Sequence, residues 1–312
     1  MTFSTHGSVL KVSDPFLLMK GIEVRARDLL DFLVFSSIFL ALECVAMAYF
    51  SCYIQQIPWS VPNVIIPFLV TFGIYNLNRK TDENEDAMNR EDRYHFTKRY
   101  EHSLFGCSLA AIAVALSLSA WYSLPAALIT LTPFIFGIFY SVHWLPSSSR
   151  YRRLKEIPLA KNLIVCMSWS LPGSMLPVYL NGSTPSMRTV ITCLLFFSWG
   201  FLASISPDIR DRIGDARAGV RTIPVIFGED RTRKLLIGMN LIFGCAIMLS
   251  GLIFLPLSTT LLLAATIIYA QVCIYLLSRP AMKNFVCDIL SDGQYIFFSC
   301  AILVLLAFRV AP

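Results

Sequence analysis

The chain has 312 residues, of which 56% are hydrophobic and only 15% charged, with a mean hydropathy of +0.63. Soluble domains carry about a quarter charged residues, so a large soluble core is excluded and a polytopic membrane protein is indicated. The formal net charge of +6 matters less than where the cations fall, and no nucleic-acid partner is expected.

Met1–Lys20 is mixed polar sequence without an apolar core and small-residue cleavage site, so no cleavable signal peptide is expected. Apolar runs of bilayer-crossing length follow at 29–50, 60–77, 103–121, 124–142, 160–179, 188–206, 235–254, 258–277 and 292–309. They predict an all-α polytopic membrane protein with nine transmembrane helices, and no break in composition divides 1–312 into domains. The turns at Gln56–Pro58 and Trp121–Leu124 are short and uncharged, whereas 79–102, 143–161 and 207–234 are rich in Lys and Arg. With the N-terminus in the cytoplasm, every Lys and Arg except Arg188 and Arg309 lies on that side. The positive-inside rule therefore predicts a multi-pass protein with N-terminus and basic loops cytoplasmic and the C-terminus opposite.

Two acidic clusters each follow one of these runs. Asn78-x3-Asp82-x3-Asp86 comes after the second and Asp208-x2-Asp211-x3-Asp215 after the sixth. An Asp at a bilayer centre costs about 2.5–3.5 kcal/mol, so both sets belong at the membrane's mouth or in a polar cavity. Residues four apart on a helix stack on one face. Each set thus offers several oxygen ligands in one direction, the form in which Mg²⁺ is held against a phosphate-bearing substrate. Arg210, Arg212 and Arg217 interleave with the second set, as suits a metal–diphosphate complex. Two other readings stand beside this one: charged loops that stabilise helix ends, and acids serving ion transport or proton relay. The transport reading finds only Glu43 well inside an apolar run, and Glu43 is expected to be paired within the bundle. The clusters lie four helices apart, which predicts two pseudo-repeated four-helix halves around one central site, with a ninth helix outside.

The nine cysteines are scattered without a C-x-x-C pair and read as small apolar helix residues. His95 and His102 read as residues of a solvated loop. Asn181-Gly182-Ser183 matches a glycosylation sequon on the expected outer side, a match so short that chance explains it.

Asn78, Asp82 and Asp86, with Asp208, Asp211, Asp215 and the phrase running on to Thr222-Ile223-Pro224, resemble the two signatures of UbiA-type intramembrane prenyltransferases. The family's motifs are Asn-Asp-x2-Asp-x3-Asp and Asp-x3-Asp, the second often followed by Gly and Thr-x-Pro. The resemblance covers almost the whole chain. It implies nine helices around a central apolar cavity, capped by the two motifs facing each other across Mg²⁺. Asn78, Asp82, Asp86, Asp208, Asp211 and Asp215 would be the metal ligands, and Asp82, Asp86, Asp211 and Asp215 the acids on which catalysis depends. Lys155 and Arg210 match the family's diphosphate-binding positions, with Lys161 as a further candidate. The implied partners are an isoprenyl diphosphate, a small acceptor and membrane lipid.

This chain departs from the family in three places. Arg79 stands where many members have Asp. The Tyr-x3-Lys after the fourth run becomes Tyr140-x3-Trp144, with Arg150, Arg152, Arg153 and Lys155 further on. The Arg-Pro near the first run is absent, with Arg25 and Arg27 nearest. The function implied is Mg²⁺-dependent transfer of a polyprenyl group to an aromatic ring or glycerophosphate-like hydroxyl. The alternative is a membrane terpene cyclase that ionises the same diphosphate and quenches the cation without an acceptor.

Overall fold

Each of the nine apolar runs is mainly helical over its described residues, among which no strand occurs. The computed structural model describes residues 28–81, 83, 87, 91–141, 154, 157–217 and 219–307; Asp82, Asp86 and Lys155 lie outside them. In chain order the helices are α1 (28–35), α2 (Ile38–Gln55), α3 (Pro62–Thr81), α4 (Glu91–Arg99), α5 (Glu101–Tyr122), α6 (Leu124–Ser141) and α7 (Ala160–Leu180). They continue with α8 (Met187–Arg217), α9 (Ile223–Phe227), α10 (Glu229–Phe254), α11 (Leu257–Leu276), α12 (Pro280–Ser291) and α13 (Gln294–Ala307).

Six of these, α2, α5, α7, α8, α10 and α11, have the length and apolar composition of a membrane span. The pair α12 and α13, bent by 55°, makes a seventh. The expected number of nine is therefore not reached on length and composition alone. The two remaining runs are α3, which carries Asn63, Asn76, Asn78, Arg79 and Lys80, and α6, whose apolar part Leu124–Ile138 is short.

The interior is assembled as lipid-embedded bundles require. Large apolar side chains such as Ile242, Leu249, Ile253 and Leu261 face outward, while Ser108, Ser119, Thr130, Ser170 and Ser174 are buried. Small hydroxyl residues let helices approach closely and bond across the gap, as Ser119 Oγ and Thr130 Oγ1 do at 2.7 Å. The most extensive helix pair is α7 with α8. At Gly200 on α8 an added Cβ would lie 3.1 Å from the Cys166 Cα of α7, a backbone atom that cannot swing aside. Gly200→Ala is expected to lower stability by about 1 kcal/mol through overpacking, read as a lower unfolding temperature of the detergent-solubilised protein. α13 packs back against α2 and joins the end of the chain to its beginning.

Two expected features are redrawn. The run at 29–50 is broken at Ser36–Ser37, where Ser37 takes φ 65°, so the long helix begins only at Ile38. The carbonyls freed by this break are met from α3: Arg79 Nη2 donates to Val34 O at 3.1 Å and Asn76 Nδ2 to Ser36 O at 3.0 Å. The sixth run, expected to end at 206, continues as helix through the second acidic cluster to the end of α8. Its 31 residues span about 46 Å at 1.5 Å per residue, against about 30 Å of hydrocarbon, so the helix carries its acids past the apolar layer. Gly219 at φ +75° ends it, with Val220 N–H donating to Asp215 O at 2.8 Å.

Candidate functional site

The acids of α8 sit at positions i, i+3 and i+7 and so share one face. That face lines a cavity of about 340 Å³ together with Asn78 of α3 and Lys161 of α7. Arg210 lines it too, as do Arg79, Arg93, Asp288 and Asp292. Ile74, Val165, Trp169 and Phe136 form its apolar part. Thus Asn78, Asp208, Asp211, Asp215, Arg210 and Lys161, all selected from sequence, surround one space. Asp82, Asp86 and Lys155 fall outside the described residues.

Each described acid of the second cluster has a distinct environment. Asp208, 5% exposed at its side chain, takes the Lys161 ammonium at 2.6 Å on Oδ1 and Asn162 Nδ2 at 3.4 Å on Oδ2. Asp211 accepts both edges of its neighbour's guanidinium, Arg210 Nε at 2.7 Å and Nη2 at 2.8 Å. Arg210 Nη1 reaches on to Asp288 Oδ1 at 2.9 Å, so α12 is tied to α8 through this arginine. Asp215 is buried, with Thr222 Oγ1 3.5 Å from Oδ2. This contact puts the Thr222-Ile223-Pro224 stretch beside the acid it follows in sequence.

Sequence reasoning missed Asp288, Asp292 and Arg93. Asp288-x3-Asp292 repeats the spacing of Asp211-x3-Asp215, a signal legible in the sequence. Arg93 comes from α4, inside a stretch expected to be a loop. Charge pairs hold this region: Lys98 Nζ of α4 lies 2.7 Å from Glu83, just beyond α3, and Lys80 of α3 pairs with Glu101 at the start of α5. The Glu83 carboxylate beside Lys98 raises the ammonium's pKa. His95 and His102 are exposed on this outer flank, away from the cavity, and all nine cysteines are unpaired. Glu43 is paired within the bundle as expected: its carboxyl oxygens accept Tyr295 N–H at 2.9 Å and Ile296 N–H at 3.2 Å.

Among the described residues, no three His, Cys, Asp or Glu side chains gather into a ready metal cluster. Asp208 and Asp211 are engaged by Lys161 and Arg210. The cavity lining nonetheless offers the carboxylate oxygens of Asp211, Asp215, Asp288 and Asp292 and the amide oxygen of Asn78, beside the Ser168 and Ser204 hydroxyls and the Cys287 thiol; such hard oxygens are what Mg²⁺ takes, so the residues fit that ion.

The pair Lys161–Asp208 gives a first test. Lys161→Met removes the ammonium from a buried carboxylate and is expected to cost about 2 kcal/mol. This is less than the ~3–5 kcal/mol of a fully buried broken pair, because Lys161 is 23% exposed. Adding Asp208→Asn should recover most of the loss in thermal unfolding. Simple additivity of the two changes would show that the pair contributes nothing.

The fold and this cavity define a class: a membrane helical bundle with an acidic, arginine-lined chamber at one end of an apolar interior. Residues 41–291 match the UbiA prenyltransferase family, and the chain belongs to it. It is similar to the polyprenyl transferase eriF of Hericium erinaceus, 28% identical over 211 residues, or 65% of this chain. The match spans 64% of that relative's length, somewhat less than two thirds. Among solved structures it resembles a UbiA homolog from Archaeoglobus fulgidus bound to GPP and Mg²⁺, with a TM-score of 0.63 and 17% identity over 88% of this chain and 99% of that one. The apo UbiA homolog from Aeropyrum pernix K1 gives a TM-score of 0.66 at 15% identity, covering 85% and 98%. At these identities the structures show a shared fold.

Proposed function

We propose that this protein transfers a prenyl group from an isoprenyl diphosphate to a small acceptor, with Mg²⁺ as cofactor. The observation that carries the reading is the single cavity in which Asn78 of α3 meets Asp208, Asp211 and Asp215 of α8, among basic side chains and above an apolar floor. Family membership and the Mg²⁺- and GPP-bound homolog agree with it. Asn78, Asp211 and Asp215 would hold Mg²⁺, with Asp82 and Asp86 completing the set from the first motif. Magnesium bound there supplies positive charge that favours departure of the diphosphate.

The chain's own residues do the remainder. Arg210 and Lys161, joined by Lys155, take up phosphate charge as the allylic C–O bond breaks and its electron pair leaves with the diphosphate. Ile74 and Val165 keep water from the carbon left behind, and the face of Tyr75 favours its positive charge. The acceptor's carbon or hydroxyl oxygen forms the new bond and gives up a proton. The Lys and Arg asymmetry supports a cytoplasmic N-terminus and cavity mouth, which labelling of single cysteines with an impermeant thiol reagent tests.

The test is diphosphate release by purified protein with Mg²⁺ and donors of increasing length, with and without pooled aromatic and glycerophosphate acceptors. Release that depends on an acceptor supports the transferase. A cyclic hydrocarbon formed without one assigns the terpene-cyclase alternative instead. Absence of Mg²⁺-dependent binding of a thiolodiphosphate analogue overturns both in favour of transport.

A further inference from the structure

Beneath the charged cavity lies a second, apolar one of about 30 Å³. Four helices, α2, α3, α6 and α7, line both the upper space and the lower one, which lies one to two turns deeper. On α3 the step runs from Ile74 to Thr71 and Val70, and on α2 from Leu40 to Cys44 and Met47. On α7 it runs from Val165 to Gly173, and Trp169 alone belongs to both linings. Its indole is stacked on Tyr75 at 5.5 Å and 15°, so the partition is a paired aromatic wall.

The lower space offers nothing to a polar ligand. The Thr71 hydroxyl is spent on Pro67 O at 2.8 Å and Thr130 Oγ1 lies 2.7 Å from Ser119 Oγ, leaving an apolar hollow of the kind that stays dry. The upper cavity, at about 340 Å³, is near the small end of ligand pockets, which run from about 300 to 1,000 Å³. A hydrocarbon tail whose diphosphate sits among Asn78, Asp211 and Arg210 therefore points at Trp169, with unused apolar space behind it.

We propose that Trp169 is the floor of the prenyl chamber and sets the longest donor tail that this protein accepts. This rests on the diphosphate reading above and adds its length limit. Removing the indole joins the two cavities. Discrimination in an apolar pocket runs at about 10–200-fold for a single methylene, so a whole isoprene unit gained or refused is easily read.

The experiment measures binding of geranyl, farnesyl and geranylgeranyl thiolodiphosphates to the full chain in detergent with Mg²⁺. Wild type is expected to prefer the shorter tails. Trp169→Ala is expected to raise the affinity for a longer tail, relative to the shortest, by about tenfold or more. Trp169→Phe, which keeps an aromatic ring in the helix interface, shifts the same ratio by a smaller factor and serves if the alanine variant does not fold. Ala48→Leu, which fills the lower cavity from α2, should reverse the gain when combined with either. An unchanged ratio in the Trp169 variants, with wild type binding normally, overturns the floor assignment alone. Binding of none of the three analogues by wild type overturns the diphosphate reading and the floor with it. A fall in turnover with all tail lengths retained would make Trp169 a cation-facing wall and likewise overturn it.

Discussion

Asp211→Asn and Asp215→Asn are each expected to lower kcat for diphosphate release by about two to three orders of magnitude while leaving the fold intact. Asparagine keeps the shape of the side chain and one acceptor oxygen, so the loss isolates charge. Removal of one preorganised electrostatic contact at a reacting centre typically costs that much. The two variants should differ in a second respect. Asp211 is clamped by Arg210 on two nitrogens, and Arg210 is held in turn by Asp288, so Asp211→Asn also loosens the arginine offered to the diphosphate. Asp215 Oδ2 lies 3.5 Å from Thr222 Oγ1, and the helix-ending bond from Val220 uses the backbone oxygen of Asp215, which the substitution spares. Asp215→Asn should therefore raise the Mg²⁺ concentration needed for half-maximal rate with little change in donor KM, and Asp211→Asn should raise both. Steady-state kinetics over a Mg²⁺ titration, with thermal unfolding as control, measure this. Turnover within threefold of wild type in either variant would remove that acid from the reacting centre.

Glu43→Ala is expected to cost about 2 kcal/mol of stability without a specific effect on donor binding. Glu43 is 6% exposed, and its carboxyl oxygens accept the N–H groups of Tyr295 and Ile296 in the first turn of α13. Helix first turns leave such donors without intrahelical partners. Orphaning two buried donors costs about 1–3 kcal/mol each. The total is reduced because an unfolded chain still in lipid finds other partners. Glu43→Gln keeps an acceptor oxygen and should recover about half the loss. The readout is the unfolding temperature in detergent, alongside thiolodiphosphate affinity. An alanine variant as stable as wild type but unable to bind donor would place Glu43 in the substrate site instead.

Much of this arrangement was legible in the residues. Apolar runs marked each long helix, since hydropathy reports what must avoid water. The i, i+3, i+7 spacing placed three acids on one face of α8. What escaped has physical reasons. Hydropathy stops where charge begins, although a helix does not, so the charged stretch that forms α4 gives no apolar signal of its own. The break at Ser36–Ser37 carries neither Gly nor Pro; it is stabilised by Arg79 and Asn76 from another helix, which no local pattern reveals. Arg79, noted only as a departure from the family motif, anchors that break while lining the cavity. The partner of Glu43 lies some 250 positions onward in the chain, beyond any periodicity. Asp288 and Asp292 carried a readable spacing but followed no run clean enough to draw attention.

The 31 residues of α8 run unbroken from membrane-buried stem to acidic head, through Pro207, so the two share one helical register. Inserting or deleting a single residue within that stem would swing all three carboxylates by about 100° around the axis, away from Asn78. The stretch from Met187 to Asp208 must therefore keep its residue count as a mechanical constant.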